Sequence, residues 1–130
     1  MKEKTRVHIF GNRELDFDST PLRLLPKLRD EFCQIEFIEL DPNEDWEIPD
    51  PFLIIDTIAG IPDVRTFYGI EAFDAAPTVS VHDFDAVFHL RYLAKLGKLQ
   101  NVVIIGVSPE MNELAALPGV RAALRSILVR

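Results

Sequence analysis

Of the 130 residues, one is a cysteine, Cys33. That excludes an internal disulfide framework and a cysteine-rich metal site. Long apolar runs are also missing: none approaches the roughly 20 residues needed to span a bilayer. Basic residues are the minority, 14 against 21 acidic, for a net charge of −7. A nucleic-acid partner, which demands a basic patch, is therefore not expected. The chain has no G-x-G-x-x-G and no G-x-S-x-G, so neither a dinucleotide fingerprint nor a serine-hydrolase elbow is present. The start, Met1 to Arg6, is charged and runs straight into a strand pattern with no apolar leader, so a cytoplasmic location is expected.

What is present is apolar content: 48% of the residues are hydrophobic. That suffices for a folded domain with its own core. One domain spanning residues 1–130 is expected, since no repeat, linker or low-complexity segment interrupts the chain.

The chain is organised around Phe52-Leu53-Ile54-Ile55-Asp56-Thr57. An unbroken aliphatic run reads as a strand buried on both faces, the centre of a parallel sheet. It ends on Asp56, where open α/β sheets present their ligand crevice. Arg6 to Phe10 reads as the first strand, stopped by Gly11-Asn12. Ser19-Thr20-Pro21 signals a helix start, with Leu24, Leu25, Leu28 and Phe32 on the apolar face. Pro26 either kinks that helix or delays its start to near Leu25. Cys33 to Leu40 alternates partly and reads as a strand near a sheet edge. Val64 to Phe73 reads as an added edge strand that can run antiparallel, with Gly69 as a bulge.

Ser80-Val81-His82-Asp83 has the form of a capping box and predicts a helix from Phe84 to about Leu96, with Gly97 as its end. Asn101 to Val107 reads as a buried strand, ended by Ser108-Pro109-Glu110. A last helix is expected after Pro118, with Val120, Ala123, Leu124, Ile127 and Leu128 on one face. Its arginines, Arg121, Arg125 and Arg130, read as a solvated face. Strands alternating with helices predict an α/β fold: a three-layer α/β/α sandwich around a twisted, mostly parallel sheet of about five strands.

Three chemistry-bearing side chains fall near strand ends: Asp18 in the first loop, Asp56, and His82 before the second helix. Two carboxylates and a histidine suit nickel, zinc or iron with open positions. Each also has an ordinary structural reading. Asp56 can cap a turn after the strand, Asp18 can favour a helix dipole, and His82 can fill a capping box. Asp16 rivals Asp18 if the loop is registered differently. His89, two helical turns from His82, reads as a helix-face residue. His8 reads as a hydrogen-bonded core histidine and Cys33 as a structural thiol.

The order of a strand, Gly11-Asn12, an acid six residues beyond the Asn, an Ile-Ile-Asp strand end, Ser80-Val81-His82-Asp83 and Val102-Val103-Ile104-Ile105-Gly106-Val107-Ser108-Pro109-Glu110 resembles the nickel–iron hydrogenase maturation endopeptidases. The resemblance covers Val7 to about Leu128. It implies an endopeptidase that removes the C-terminal extension of a nickel-loaded hydrogenase large subunit, its partner being that large-subunit precursor. Asp18, Asp56 and His82 match the family's metal-contacting positions and would be both catalytic and metal-binding. Asp41 looks like a further acid in the same cleft. The resemblance implies nickel supplied by the substrate protein, no separate cofactor and no covalent nucleophile. A monomer, with neither nucleic acid nor membrane as partner, suits a protease that docks on a large subunit. Two other readings stand beside it: a non-catalytic, chaperone-like relative that recognises the nickel-loaded subunit, and a metal hydrolase of an unrelated small substrate.

Overall fold

The computed structural model describes residues 4–10, 19–40, 51–58, 61–68 and 101–129. The elements are β1 (Thr5–Phe10), α1 (Thr20–Glu31), β2 (Ile35–Leu40), β3 (Phe52–Thr57), β4 (Arg65–Tyr68), β5 (Val102–Val107) and α2 (Glu113–Leu128). The strands form one five-stranded sheet in the order β2-β1-β3-β5-β4. Every neighbouring pair is parallel except β4 on β5, which is antiparallel. The expected mostly parallel α/β sheet is therefore present, with Phe52–Thr57 at its centre. The helix expected over Phe84 to Leu96 and the bulge at Gly69 lie outside the described residues.

β3 is buried along its whole length. Its odd-numbered side chains, Leu53 and Ile55, join a core with Val7, Ile9, Ile105 and Val107 from the neighbouring strands. α1 contributes Leu24, Leu25 and Leu28 to this layer, and α2 contributes Ala116, Val120 and Leu124. The even-numbered side chains Phe52 and Ile54 are buried as well. A strand wet on neither face has no use for polar alternation, which is why its sequence shows none until Asp56. β2 alternates because it is an edge strand: Ile35 and Phe37 are buried while Glu36 and Glu39 are exposed. β4, the opposite edge among the described residues, begins on exposed Arg65, a charge that discourages edge-to-edge pairing.

α1 starts at Thr20 with Ser19 as N-cap residue and Pro21 in the first turn, although the Ser19 side chain makes no capping hydrogen bond. The helix runs through Pro26, so its start is not delayed to Leu25. Pro26 is exposed, on the side away from Leu24, Leu25 and Leu28.

The start of the last helix differs from expectation. α2 begins at Glu113, five residues before Pro118, and carries that proline inside it. Asn112 is the N-cap, and its Oδ1 accepts a hydrogen bond from the Ala115 N–H at 2.9 Å. The carbonyl that Pro118 leaves without a helical donor belongs to Leu114, a residue 74% exposed in the first turn. The Asn-Glu pair, a capping residue followed by an acid in the first turn, was the signal for the true start.

Gly119 shows how tightly α2 meets the segment before β4. A Cβ there would stand 2.8 Å from Val64 Cβ and 2.9 Å from its Cγ2. Alanine gains about 1 kcal/mol of helix propensity over glycine, but overpacking costs about 1–3 kcal/mol. A Val64 Cβ cannot rotate away, so the overlap wins. Gly119→Ala should lower stability by about 1 kcal/mol in urea melts; a gain in stability would show that the segment at Val64 yields freely.

Candidate functional site

The site is set by topology. The chain passes from β1 to β2 on one side of β1, and then to β3 on the other. That makes the gap between the carboxyl ends of β1 and β3 the switch point of the sheet, where α/β folds open a ligand crevice. Ile9 pairs in register with Ile55, so Asp56 stands next at the end of β3, level with the last residue of β1. On its other side Asp56 pairs in register with Gly106 of β5.

Asp56 is 4% exposed. A carboxylate so deep needs hydrogen bonds to offset its lost hydration. Its Oδ1 accepts one from the Thr57 N–H at 2.8 Å. The structural reading of Asp56, a cap at the exit of the strand, is thus realised in one oxygen.

Two further connections fix the same end of the sheet. The Ile58 N–H donates to the Val107 carbonyl at 2.9 Å, holding the exits of β3 and β5 together. Thr20 Oγ1 donates to the Met111 carbonyl at 3.2 Å, tying the start of α1 to the turn after β5. In that turn Ser108 Oγ accepts from the Glu110 N–H at 3.3 Å, and the Ser108 carbonyl accepts from the Met111 N–H.

The sequence missed Gly106 as a site-shaping residue. Its missing side chain leaves the place beside Asp56 to Ile58, whose Cδ1 lies 2.5 Å from where a Cβ would be. The in-register pairing with a strand-end acid is not visible without the topology. Thr57, also missed, is fully buried and its Oγ1 has no hydrogen-bond partner.

Asp18 and His82, the other two members of the expected triad, lie outside the described residues, as do Asp16, Asp41 and His89. Among the described residues no three of His, Cys, Asp and Glu are grouped as a metal-binding cluster. Cys33, expected as a structural thiol, is free and exposed. Among the described residues no helix is long and apolar enough to cross a membrane.

His8 is buried as expected, at 5% exposed, with its ring edge-on to Phe52 at a centroid distance of 5.0 Å. Its Nδ1 has no hydrogen-bond partner, and the ring's hydrogen bond is to the Leu53 backbone. Burial lowers the imidazole pKa from 6.5, and Arg6 adds to this; the Leu53 backbone and Glu36 pull the other way. The folded state therefore binds the proton less readily than the unfolded state. Stability from this group is complete above pH 6.5 and declines as pH falls below that value, toward the lowered folded pKa. Wild-type melting temperature should fall between about pH 7.5 and about pH 5, and His8→Leu should flatten that fall. An unchanged slope in the variant would assign the acid sensitivity elsewhere.

The fold defines the class first: a five-stranded, mostly parallel α/β sheet with a buried acid at its switch point. No family model matches the chain, and no curated protein sequence does so significantly. Solved structures do. The chain is similar to the hydrogenase maturating endopeptidase HybD from E. coli, with a TM-score of 0.55 and 16% identity over 94% of this chain and 86% of that one. A solution structure of an endopeptidase from Escherichia coli is similar at TM-score 0.55 and 17% identity, with the same coverage. An uncharacterized protein from Wolinella succinogenes is similar at TM-score 0.54 and 12% identity, over 95% of this chain and 94% of that one. At these identities the likeness is one of fold, and that fold is the one the hydrogenase maturation endopeptidases were expected to share.

Proposed function

We propose that this protein is an endopeptidase that removes the C-terminal extension of a nickel-loaded hydrogenase large subunit. The observation that carries this reading is Asp56, a carboxylate buried at the carboxyl end of the central strand, at the switch point of a fold similar to that of HybD. The resemblance along the chain supports the same conclusion by matching Asp18 and His82 to the same cleft.

The nickel in this reading is cargo of the substrate. Asp18, Asp56 and His82 are the side chains that would meet it, a hard-oxygen and imidazole set that suits a divalent ion. Holding a metal-bearing substrate fixes the scissile bond beside the carboxylates and removes the entropy cost of aligning it with water. One carboxylate takes a proton from the attacking water. The water oxygen then bonds to the carbonyl carbon, the C–N bond breaks, and the proton passes to the leaving amine. No side chain forms a covalent intermediate.

The test is incubation with purified large-subunit precursor, nickel-loaded or nickel-free, and then measurement of intact mass. A new C-terminus only on the loaded form supports the reading; no cleavage of either form overturns it. One observation favours a second reading, a binding relative without protease activity: Asp56 Oδ1 is already engaged by the Thr57 N–H. That reading expects nickel-dependent co-elution with the precursor and no cut.

A further inference from the structure

The C-terminal turns of α1 and α2 flank an open hollow of about 710 Å³. Gln34 lines it and immediately precedes β2, which runs parallel to the central strands. The hollow therefore lies at the amino ends of the strands, across the sheet from Asp56, and belongs to no part of the site described above.

Its composition is specific. Its apolar lining is Phe32, 4% exposed, Leu128, and Val129, 85% exposed and the most exposed large hydrophobic residue among those described. Arg121 is clamped on Glu31 by two hydrogen bonds, 2.7 Å from Nε and 2.6 Å from an Nη. That fork holds the guanidinium in place, so little side-chain entropy remains to be lost when a ligand approaches. Arg125 lines the same hollow, and among the described residues no ion pair engages it. Of the charged side chains lining the hollow, Glu31 offsets Arg121, and Arg125 is left as the surplus positive charge. On a chain of net charge −7 this lining carries one surplus positive charge.

We infer that this hollow docks an acidic, leucine-bearing segment of a partner protein, with a carboxylate on Arg125 and an apolar side chain between Phe32 and Val129. Charge complementarity selects the occupant: Arg125 attracts an acidic segment and repels a basic one, and exposed Val129 leaves a purely polar one with apolar surface it cannot cover.

The experiment uses the full chain and a dye-labelled peptide of Glu, Asp and Leu, with a Lys-for-acid peptide as control. Anisotropy should show binding of the acidic peptide alone, weakening several-fold as salt rises from about 0.05 to about 0.5 M. Arg125→Glu should weaken it about tenfold, and Val129→Asp should weaken it without a change in melting temperature. Amide shifts should move at Gln34, Arg125 and Val129. Equal binding of both peptides, full binding by Arg125→Glu, no binding, or shifts confined to the Asp56 end would each overturn the inference.

Discussion

Asp56→Asn should reduce precursor cleavage by about 10²–10⁴-fold, the range for loss of a positioned acid–base group, while leaving the protein folded. The two halves of that expectation come from the same geometry. Asparagine keeps an Oδ1 that can accept from the Thr57 N–H at the place where the aspartate does so at 2.8 Å. It also removes the need to bury a charge at a position 4% exposed. The melting temperature should therefore stay the same or rise slightly. What asparagine lacks is the anionic oxygen that would take a proton or meet a metal-bearing substrate. Retained activity with retained stability would reduce Asp56 to a strand-end cap. Lost activity with lost folding would say nothing special about its chemistry, so Asp56→Glu and a circular dichroism melt belong beside the assay.

The second large effect is on stability. Gly106→Val should destabilise the protein by about 3 kcal/mol, at the upper end of overpacking costs in a closed core. Gly106 lies in register between Asp56 of β3 and Arg65 of β4. A Cβ there would meet Ile58 Cδ1 at 2.5 Å and both Ile58 Cγ1 and Phe67 Cε2 at 3.2 Å. The nearest of these is the tip of a side chain that can rotate, so Gly106→Ala should cost only about 1 kcal/mol. The two methyl groups of valine have no such relief, because Ile58 is fully buried and its backbone is bonded to Val107. Valine's strand preference, within a scale that spans about 1 kcal/mol, does not compensate. The expected fall in melting temperature is roughly 10 °C, and a valine variant as stable as wild type would contradict the packing described at this end of the sheet.

The central strand could be read directly, because Phe52 to Thr57 is buried on both faces and burial on both faces leaves no polar alternation. The wetter β2 and the added edge β4 came from the same reasoning, and each stands at an end of the sheet. Strand order was out of reach: nothing local says that β3 crosses to the far side of β1, and only that crossing makes Asp56 a switch-point residue. The start of α2 differs from the reading that placed it after Pro118, and the N-cap residue Asn112 is the signal that reading lacks. Proline inside a helix removes one hydrogen bond and crowds the preceding turn, and here the carbonyl it leaves belongs to Leu114 in the exposed first turn, where water can meet it. Gly106 was read as part of a strand, with no sign that its bare backbone shapes the place beside Asp56. Of the candidate site, the position of Asp56 was readable from its strand. The gathering of Asp18 and His82 around it rests on the resemblance along the chain.

That gathering is the central claim, and anomalous scattering from crystals soaked in nickel or cadmium tests it most directly. One ion is expected at the carboxyl ends of β1 and β3, with Asp18 and Asp56 oxygens and a His82 nitrogen at about 2.0–2.5 Å. An ordered structure in which those three side chains point apart, or in which the ion binds elsewhere and leaves Asp56 untouched, would contradict it.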